Sequence, residues 1–261
     1  MKAAVIVACG GQGRRLGGTV QKQYLSLAGK TVLEHTLDVF EAHPLVGPIV
    51  VVLPAAGRPQ AVLEAIVKRY AKVAEIVAGG DQRQASVSRG LAALLALAET
   101  EAGAAVSPSA FGCGPAAEAA AGLISGLPWR GPVLVQDGVR PCTPAAVIDR
   151  VIQGTLKWGA CVPAIRVRDT LKEADEAGRV TKTVDRRGLW QIQTPQGFDG
   201  ELLWQAYRLA REQGLTATDD AGLVEALGHP VHLVEGSPVN MKLTYGEDLP
   251  LFEALLGGKQ A

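Results

Sequence analysis

The chain is predicted to be an α/β protein: a mostly parallel sheet with helices on both faces and a β-hairpin arm standing off it. Three observations carry this. Short apolar runs rich in β-branched residues alternate with longer stretches of helical periodicity along most of the 261 residues. The strand candidates are continuously apolar, as expected of strands buried on both faces. A glycine-rich turn, "ACGGQGRRLGG" (8–18), follows the first of them. A chain of this length can bury a substantial core, and it reads as one domain over 1–261.

In order, strands are expected at Ala3–Ala8, Ile49–Leu53, Val73–Val77, Pro132–Gln136, Gly159–Pro163 and His232–Glu235. Helices are expected at Thr31–Ala42, Pro59–Ala71, Ala85–Leu97, Pro144–Lys157, Gly200–Gln213 and Thr218–Leu227. Thr31-Val-Leu-Glu34 and Thr244-Tyr-Gly-Glu247 fit the capping box, in which side chains satisfy the first backbone N–H groups of a helix. The second box opens a closing helix that runs to about Leu256. Two segments break the alternation. Residues 99–131 are rich in Ala, Gly, Ser and Pro and read as an insertion. "RVRDTLKEADEAGRVTKTVDRR" (166–187) alternates charged and β-branched residues around Glu176-Ala177-Gly178, the pattern of a polar hairpin arm.

Composition narrows the class. Hydrophobic residues make up 48% and charged ones 20%, as in soluble globular proteins. The formal net charge is zero, which argues against a nucleic-acid or acidic-membrane binder, so any basic site is local. Cys9, Cys113, Cys142 and Cys161 are scattered without metal-ligand spacing and read as free thiols of a cytoplasmic protein. Ile6-Val7-Ala8-Cys9 imitates a lipoprotein box, but the apolar run before it is too short for a signal peptide. No stretch reaches the about 18 apolar residues of a membrane span.

Four clusters suit an anionic ligand. The first turn fits neither standard phosphate loop. Gly11 and Gly13 match a dinucleotide fingerprint whose third glycine is Leu16, and Thr19 stands where the P-loop lysine belongs. What remains is Gly10, Gly11 and Gly13 with Arg15 and Lys22 following: backbone N–H groups and cations that suit a triphosphate. Read alone, it is equally an ordinary strand-to-helix turn. "AGGDQRQASV" (78–87) follows another strand; Gly80, Asp81 and Ser86 suit a ribose and a base edge, or simply cap the next helix. In "VLVQDGVRPC" (133–142), Asp137 at a strand end with Gly138 behind it suits magnesium, and Arg140 a phosphate. "VNMKLT" (239–244) reads as a short strand with Lys242 amid apolar neighbours.

Taken together these motifs resemble the 2-C-methyl-D-erythritol 4-phosphate cytidylyltransferase family of the non-mevalonate isoprenoid pathway. They run in order as G-x-G-x-R…K-Q-Y, G-G-D-x-R-x-x-S-V, D-x-x-R-P-C, V-R-D-T-x-K, T-V-D-R-x-G-L-W, T-P-Q, T-D-D and N-x-K-x-T, across nearly the whole chain. The resemblance implies a Rossmann-like nucleotidyltransferase fold with an arm that mediates homodimerisation. It implies that Arg15 and Lys22 hold the triphosphate and stabilise the transition state, that Lys242 contacts the attacked phosphorus, and that Asp137 holds Mg2+. Gly80, Asp81 and Ser86 take the cytidine, with Gly10, Gly11, Gly13 and Gly138 lining the nucleotide. Arg140 assists the acceptor, and Arg168 and Thr183 in the arm bind the sugar phosphate of the neighbouring subunit. The sequence departs from the family at Ala8-Cys9-Gly10, usually Pro-Ala-Ala, at Gln21, usually proline, and at Gly138-Val139, usually Ala-Ala.

The implied partners are CTP and a polyol phosphate. The acceptor phosphate, with a second pKa of about 6, is a dianion at neutral pH and needs no general base, which agrees with the absence of His from the motifs. A relative acting on ribitol 5-phosphate is the alternative enzyme. A silent nucleotide-binding module is the alternative of another class, disfavoured by the joint presence of Arg15, Lys22, Asp137 and Lys242.

Overall fold

In the computed structural model, residues 1–9, 20–101, 129 and 131–257 are described. β1 (Ala3–Ala8) leads to a single 3₁₀ turn at Lys22–Tyr24 and to a small hairpin, β2 (Ser26–Leu27) and β3 (Lys30–Thr31). Then come α1 (Val32–Ala42), β4 (Val46–Leu53), α2 (Gln60–Arg69), β5 (Val73–Ala78) and α3 (Arg83–Glu101). After them follow β6 (Pro132–Asp137), α4 (Ala145–Trp158) and β7 (Ala160–Arg166). The arm is β8 (Leu171–Ala174) and β9 (Val180–Val184). β10 (Trp190–Ile192), β11 (Gln196–Asp199), α5 (Gly200–Gln213), α6 (Asp220–Ala226), β12 (His232–Glu235), a 3₁₀ turn at Gly246–Asp248 and α7 (Leu249–Gly257) complete the chain.

The main sheet has eight strands in the order β10-β7-β11-β6-β1-β4-β5, with β12 also on β7. β5, β4, β1 and β6 are parallel neighbours; β11 runs antiparallel between β6 and β7. Alternation along β1 sorts the helices. Ala4 and Ile6 face a layer that includes Leu91 and Leu94 of α3 and Trp204 and Tyr207 of α5, all buried. Ala3, Val5 and Val7 face Leu33, Leu37 and Phe40 of α1 and Val147, Ile148 and Val151 of α4. Both faces of the central strands are therefore covered, which is why they read as unbroken apolar runs. A third cluster of Leu27, Val32, Leu243 and Phe252 docks α7 and the segment before it against the small hairpin.

The six strands and six helices expected of the layered sheet are present, with ends shifted by a few residues. Two other expectations are corrected. Residues 239–244 form no strand; Leu243 N donates to Val139 O, but no ladder continues, and side chains hold the segment instead. The second capping box is displaced: Asp248, not Glu247, accepts from the backbone N of Thr244 and of Tyr245, both at 2.8 Å, and opens a 3₁₀ turn. β11, not expected at all, lies inside the sheet. The first box is present, with Glu34 N donating to Thr31 Oγ1 and Thr31 N to Glu34 Oε2.

The arm emerges between β7 and β10 as a separate two-stranded sheet, closed over Asp175, whose carboxylate accepts from the backbone N of Ala177 and Arg179. The insertion over 99–131 lies almost wholly outside the described residues.

Candidate active site

The strand order places a switch point at β1 and β6: from β1 the chain builds outward through β4 and β5, then crosses to β6 on the other side. Ligands of doubly wound sheets bind outside the carboxyl ends of the strands at such a point. Here those ends are Ala8 and Asp137, opposite each other in register.

Asp137 is nearly buried, and its carboxylate gathers three cations. Oδ2 lies 3.1 Å from Lys242 Nζ and 3.2 Å from Arg140 Nε, and Oδ1 lies 3.8 Å from Arg83 Nε. Burial alone would raise its pKa; Lys242, then Arg140 and Arg83, outweigh burial and hold the carboxyl below its ordinary value, so it is ionised at neutral pH. Its backbone N donates to Thr194 Oγ1 at 3.0 Å.

Lys22 sits on the turn after the first loop. Its Nζ donates to Thr244 O at 2.6 Å, two residues from Lys242, so the two lysines share one edge of the crevice. The turn is fastened to β1 by buried Gln23, whose Nε2 donates to Cys9 O at 3.3 Å. Arg140 is buried; besides Asp137 it donates from Nη1 to Asn240 O at 2.7 Å.

The loop after β5 forms the opposite wall. Ser86 is buried within the first turns of α3, and its hydroxyl accepts from Gly80 N at 3.1 Å and lies 3.0 Å from Gln82 O. Its polar atom thus folds the loop itself. A Cβ on Gly80 would lie 2.6 Å from Ala85 Cβ, so the loop closes on itself only with glycine there. Asp81 is exposed at the tip. Arg83, at the start of α3, joins this wall to Asp137 and pairs with buried Asp220 at 2.6 Å. The Asp220 carboxylate also accepts from Tyr207 Oη at 2.5 Å.

Lys22, Lys242, Asp137 and Arg140 are thus brought together, with Gly80, Asp81 and Ser86 across the crevice. Gly138 lies behind Asp137, its N–H committed to Ala8 O at 3.0 Å. Gly10, Gly11, Gly13 and Arg15 lie outside the described residues. Arg168 and Thr183 are exposed on or beside the arm; Thr183 Oγ1 accepts from Lys172 Nζ at 2.6 Å and Arg168 O from Arg186 Nη1. Among the described residues no bond or ion pair links either one to the Asp137 cluster. Residue-by-residue reading assigned no role to Arg83, Asp220 or Asn240. Each stands inside a motif already noted, but only the fold shows what it touches.

Asp137 also fits a magnesium ion by its chemistry. It is a single charged carboxylate at the switch point, and Mg2+ is commonly held by one or two carboxylates plus substrate phosphates.

A switch-point strand that ends in an ionised aspartate ringed by cations, facing a Gly-Gly loop, defines an α/β enzyme of the phosphate-transferring kind. Comparison with known proteins narrows this. The family model described as 2-C-methyl-D-erythritol 4-phosphate cytidylyltransferase matches residues 3–107 and 119–258, leaving out only 108–118 inside the 99–131 segment and the two ends. A protein of that name from Pelotomaculum thermopropionicum is 39% identical over 99% of this chain and 96% of its own length. Another from Geotalea uraniireducens is 39% identical over 98% of this chain and 97% of its own. The crystal structure of the enzyme of that name from Thermus thermophilus superposes with a TM-score of 0.70, at 32% identity over 98% of this chain and 100% of that one. The chain belongs to the 2-C-methyl-D-erythritol 4-phosphate cytidylyltransferase family, and is a nucleotidyltransferase. Among the described residues no helix is long and apolar enough to cross a membrane.

Proposed function

We propose that the chain transfers the cytidylyl group of CTP to 2-C-methyl-D-erythritol 4-phosphate with release of pyrophosphate. The observation that carries this is the Asp137 carboxylate at the switch point with Lys242, Arg140 and Arg83 around it and Lys22 alongside. An oxygen of the acceptor phosphate attacks the α-phosphorus in line. The new P–O bond forms as the bond to the bridging oxygen of the β-phosphate breaks, and that electron pair leaves with pyrophosphate. The attacking phosphate is already a dianion, so no proton has to be removed. What the protein supplies is position and opposite charge.

Lys242 is assigned to the α-phosphate, and Lys22 and Arg15 to the departing phosphates, with the N–H groups of Gly10, Gly11 and Gly13 beside them. Asp137 would hold Mg2+, which would supply positive charge to offset that of the phosphates. Gly80 and Asp81, in the loop that Ser86 folds, take the cytidine, and Gly138 allows close approach behind Asp137. Arg140 keeps the Asp137 carboxylate aimed and supports the acceptor side. The reading extends to a cytoplasmic homodimer in which Arg168 and Thr183 of each arm serve the site of the other copy. Cys9, Cys142 and Cys161 are buried thiols, which agrees with a reducing compartment.

The test is pyrophosphate release from CTP, ATP and GTP with 2-C-methyl-D-erythritol 4-phosphate and, in parallel, ribitol 5-phosphate. CTP with the methylerythritol acceptor should be used far better than any other pair. Release should stop with EDTA and return with Mg2+. Equal turnover of ribitol 5-phosphate would defeat the acceptor assignment, and CTP binding without release would mean a silent module.

A further inference from the structure

Asn240 is a fully buried side chain in the segment that carries Lys242, bonded to neutral residues that border the charged site. It lies two residues before Lys242, in the segment that lacks a strand ladder. Its Nδ2 donates to Thr194 O at 2.8 Å and to Gln193 Oε1 at 3.3 Å, and its Oδ1 accepts from Thr143 Oγ1 at 2.9 Å. Its backbone O accepts from Arg140 Nη1 at 2.7 Å.

Each of these partners leads back to the site. Thr194 also receives the backbone N–H of Asp137 through its hydroxyl. Thr143 belongs to the turn that carries Arg140, and Gln136 Nε2 donates to its hydroxyl at 3.2 Å. Gln193 grips Ser237 on both sides, donating from Nε2 to its O at 2.8 Å and accepting its N–H at 3.0 Å. At Gly236 a Cβ would lie 2.5 Å from Gln193 Oε1, so the segment passes there with no slack. One side-chain amide thus joins the Lys242 segment, the Asp137 strand end and the Arg140 turn.

We infer that Asn240 is a positioning residue for the transfer reaction, setting where Lys242 stands relative to Asp137 and hence to the α-phosphate. The inference rests on the assignment of Lys242 made above. The task needs an amide: it donates and accepts at once from a buried place, whereas an ionised Asp cannot donate and Leu can do neither. Buried and fully bonded, it holds the segment rigid at the scale that transfer chemistry requires.

The experiment is a double-mutant cycle on kcat with Asn240→Asp and Lys242→Ala, alongside KM for each substrate and thermal melting. Asn240→Asp should lower kcat on the order of 10²-fold, the scale of a roughly 1 Å misplacement, with KM for CTP moved only a few fold. In the Lys242→Ala background it should cost little more, because the residue through which it acts is gone. Losses in kcat that simply add, or a normal kcat in Asn240→Asp, would overturn the proposal. Should Asn240→Asp not fold, Asn240→Ser goes through the same cycle; its hydroxyl still donates and accepts but reaches less far, and the same outcomes decide. A normal kcat in Lys242→Ala alone would overturn the Lys242 assignment and this proposal with it, whereas additivity overturns this one only.

Discussion

A Cβ built on Gly138 would lie 1.9 Å from Cys9 Sγ and 3.3 Å from Val7 Cγ1. Where the family resemblance leads one to expect alanine at both positions, this chain has a larger residue at the end of β1 and a smaller one behind Asp137. The two departures are therefore one packing solution. Gly138→Ala should shift the strand end, costing about 1–3 kcal/mol by overpacking and lowering kcat on the order of tenfold or more through Asp137. Cys9→Ala alone should be mild, and Cys9→Ala with Gly138→Ala should recover most of both losses. Melting curves and kcat for the four proteins decide it; a double variant no better than Gly138→Ala would break the pairing. The lysines behave differently. Lys22→Ala and Lys242→Ala should lower kcat on the order of 10²–10³-fold, as removal of one preorganised donor does. Lys22→Ala should hardly move the melting temperature, whereas Lys242→Ala should lower it, because Lys242 is the largest of the charges that offset the burial of Asp137. The pH profile follows from charge. With Asp137 ionised well into acid, the acid limb of kcat/KM should come from the acceptor, which takes up a proton below about pH 6 and loses nucleophilicity. An acid limb that moves in Asp137→Asn would assign it to the enzyme instead.

At the scale of elements, β1, β4 and β6 were legible because burial on both faces leaves each a continuous apolar run, which in β6 gives way to polar residues only at Gln136 and Asp137. β11 was not, because Pro195 and Gly197 flank and occupy it, and both normally argue against an interior strand. It tolerates them by pairing antiparallel between two neighbours that supply the order. The segment 239–244 misled in the other direction. Its alternation looked like a strand, but the buried positions are Asn240 and Leu243, each held from outside the segment. The site was legible as a list of charged residues and illegible as a geometry, since Arg83 and Asp220 are far apart in sequence and meet only in the fold. The loop 79–86 yields a prediction of its own. Because the Ser86 hydroxyl is bonded to its own loop, Ser86→Ala should raise KM for CTP several fold and lower stability by about 1 kcal/mol, while leaving the preference for CTP over ATP and GTP intact. Loss of base preference without loss of stability would mean that the hydroxyl faces the base.

At the scale of the molecule, the arm is what a single copy leaves unfinished. Every residue of β8 and all but Val184 of β9 is exposed, with Leu171 and Val180 among the exposed apolar side chains. Isolated two-stranded hairpins are marginal in water, so this one calls for a surface to lie on. At its base Arg166 stacks over the Trp190 ring, 4.4 Å from the centroid. In the proposed dimer each site would combine Lys22 of one copy with Arg168 of the other. Lys22→Ala and Arg168→Ala should each be nearly inactive alone. In a mixed two-fold dimer, one site carries both defects and the other carries neither. Co-refolded in equal amounts, half the dimers are mixed, so about a quarter of all sites should regain normal turnover by that symmetry. If Arg168 serves its own chain, every site keeps one defect and activity does not return. Tagging the two variants differently and purifying the mixed species through both tags raises the expected recovery to about half of the sites, again by symmetry. An inactive, doubly tagged dimer would rule out the shared site while leaving the Lys22 assignment untouched.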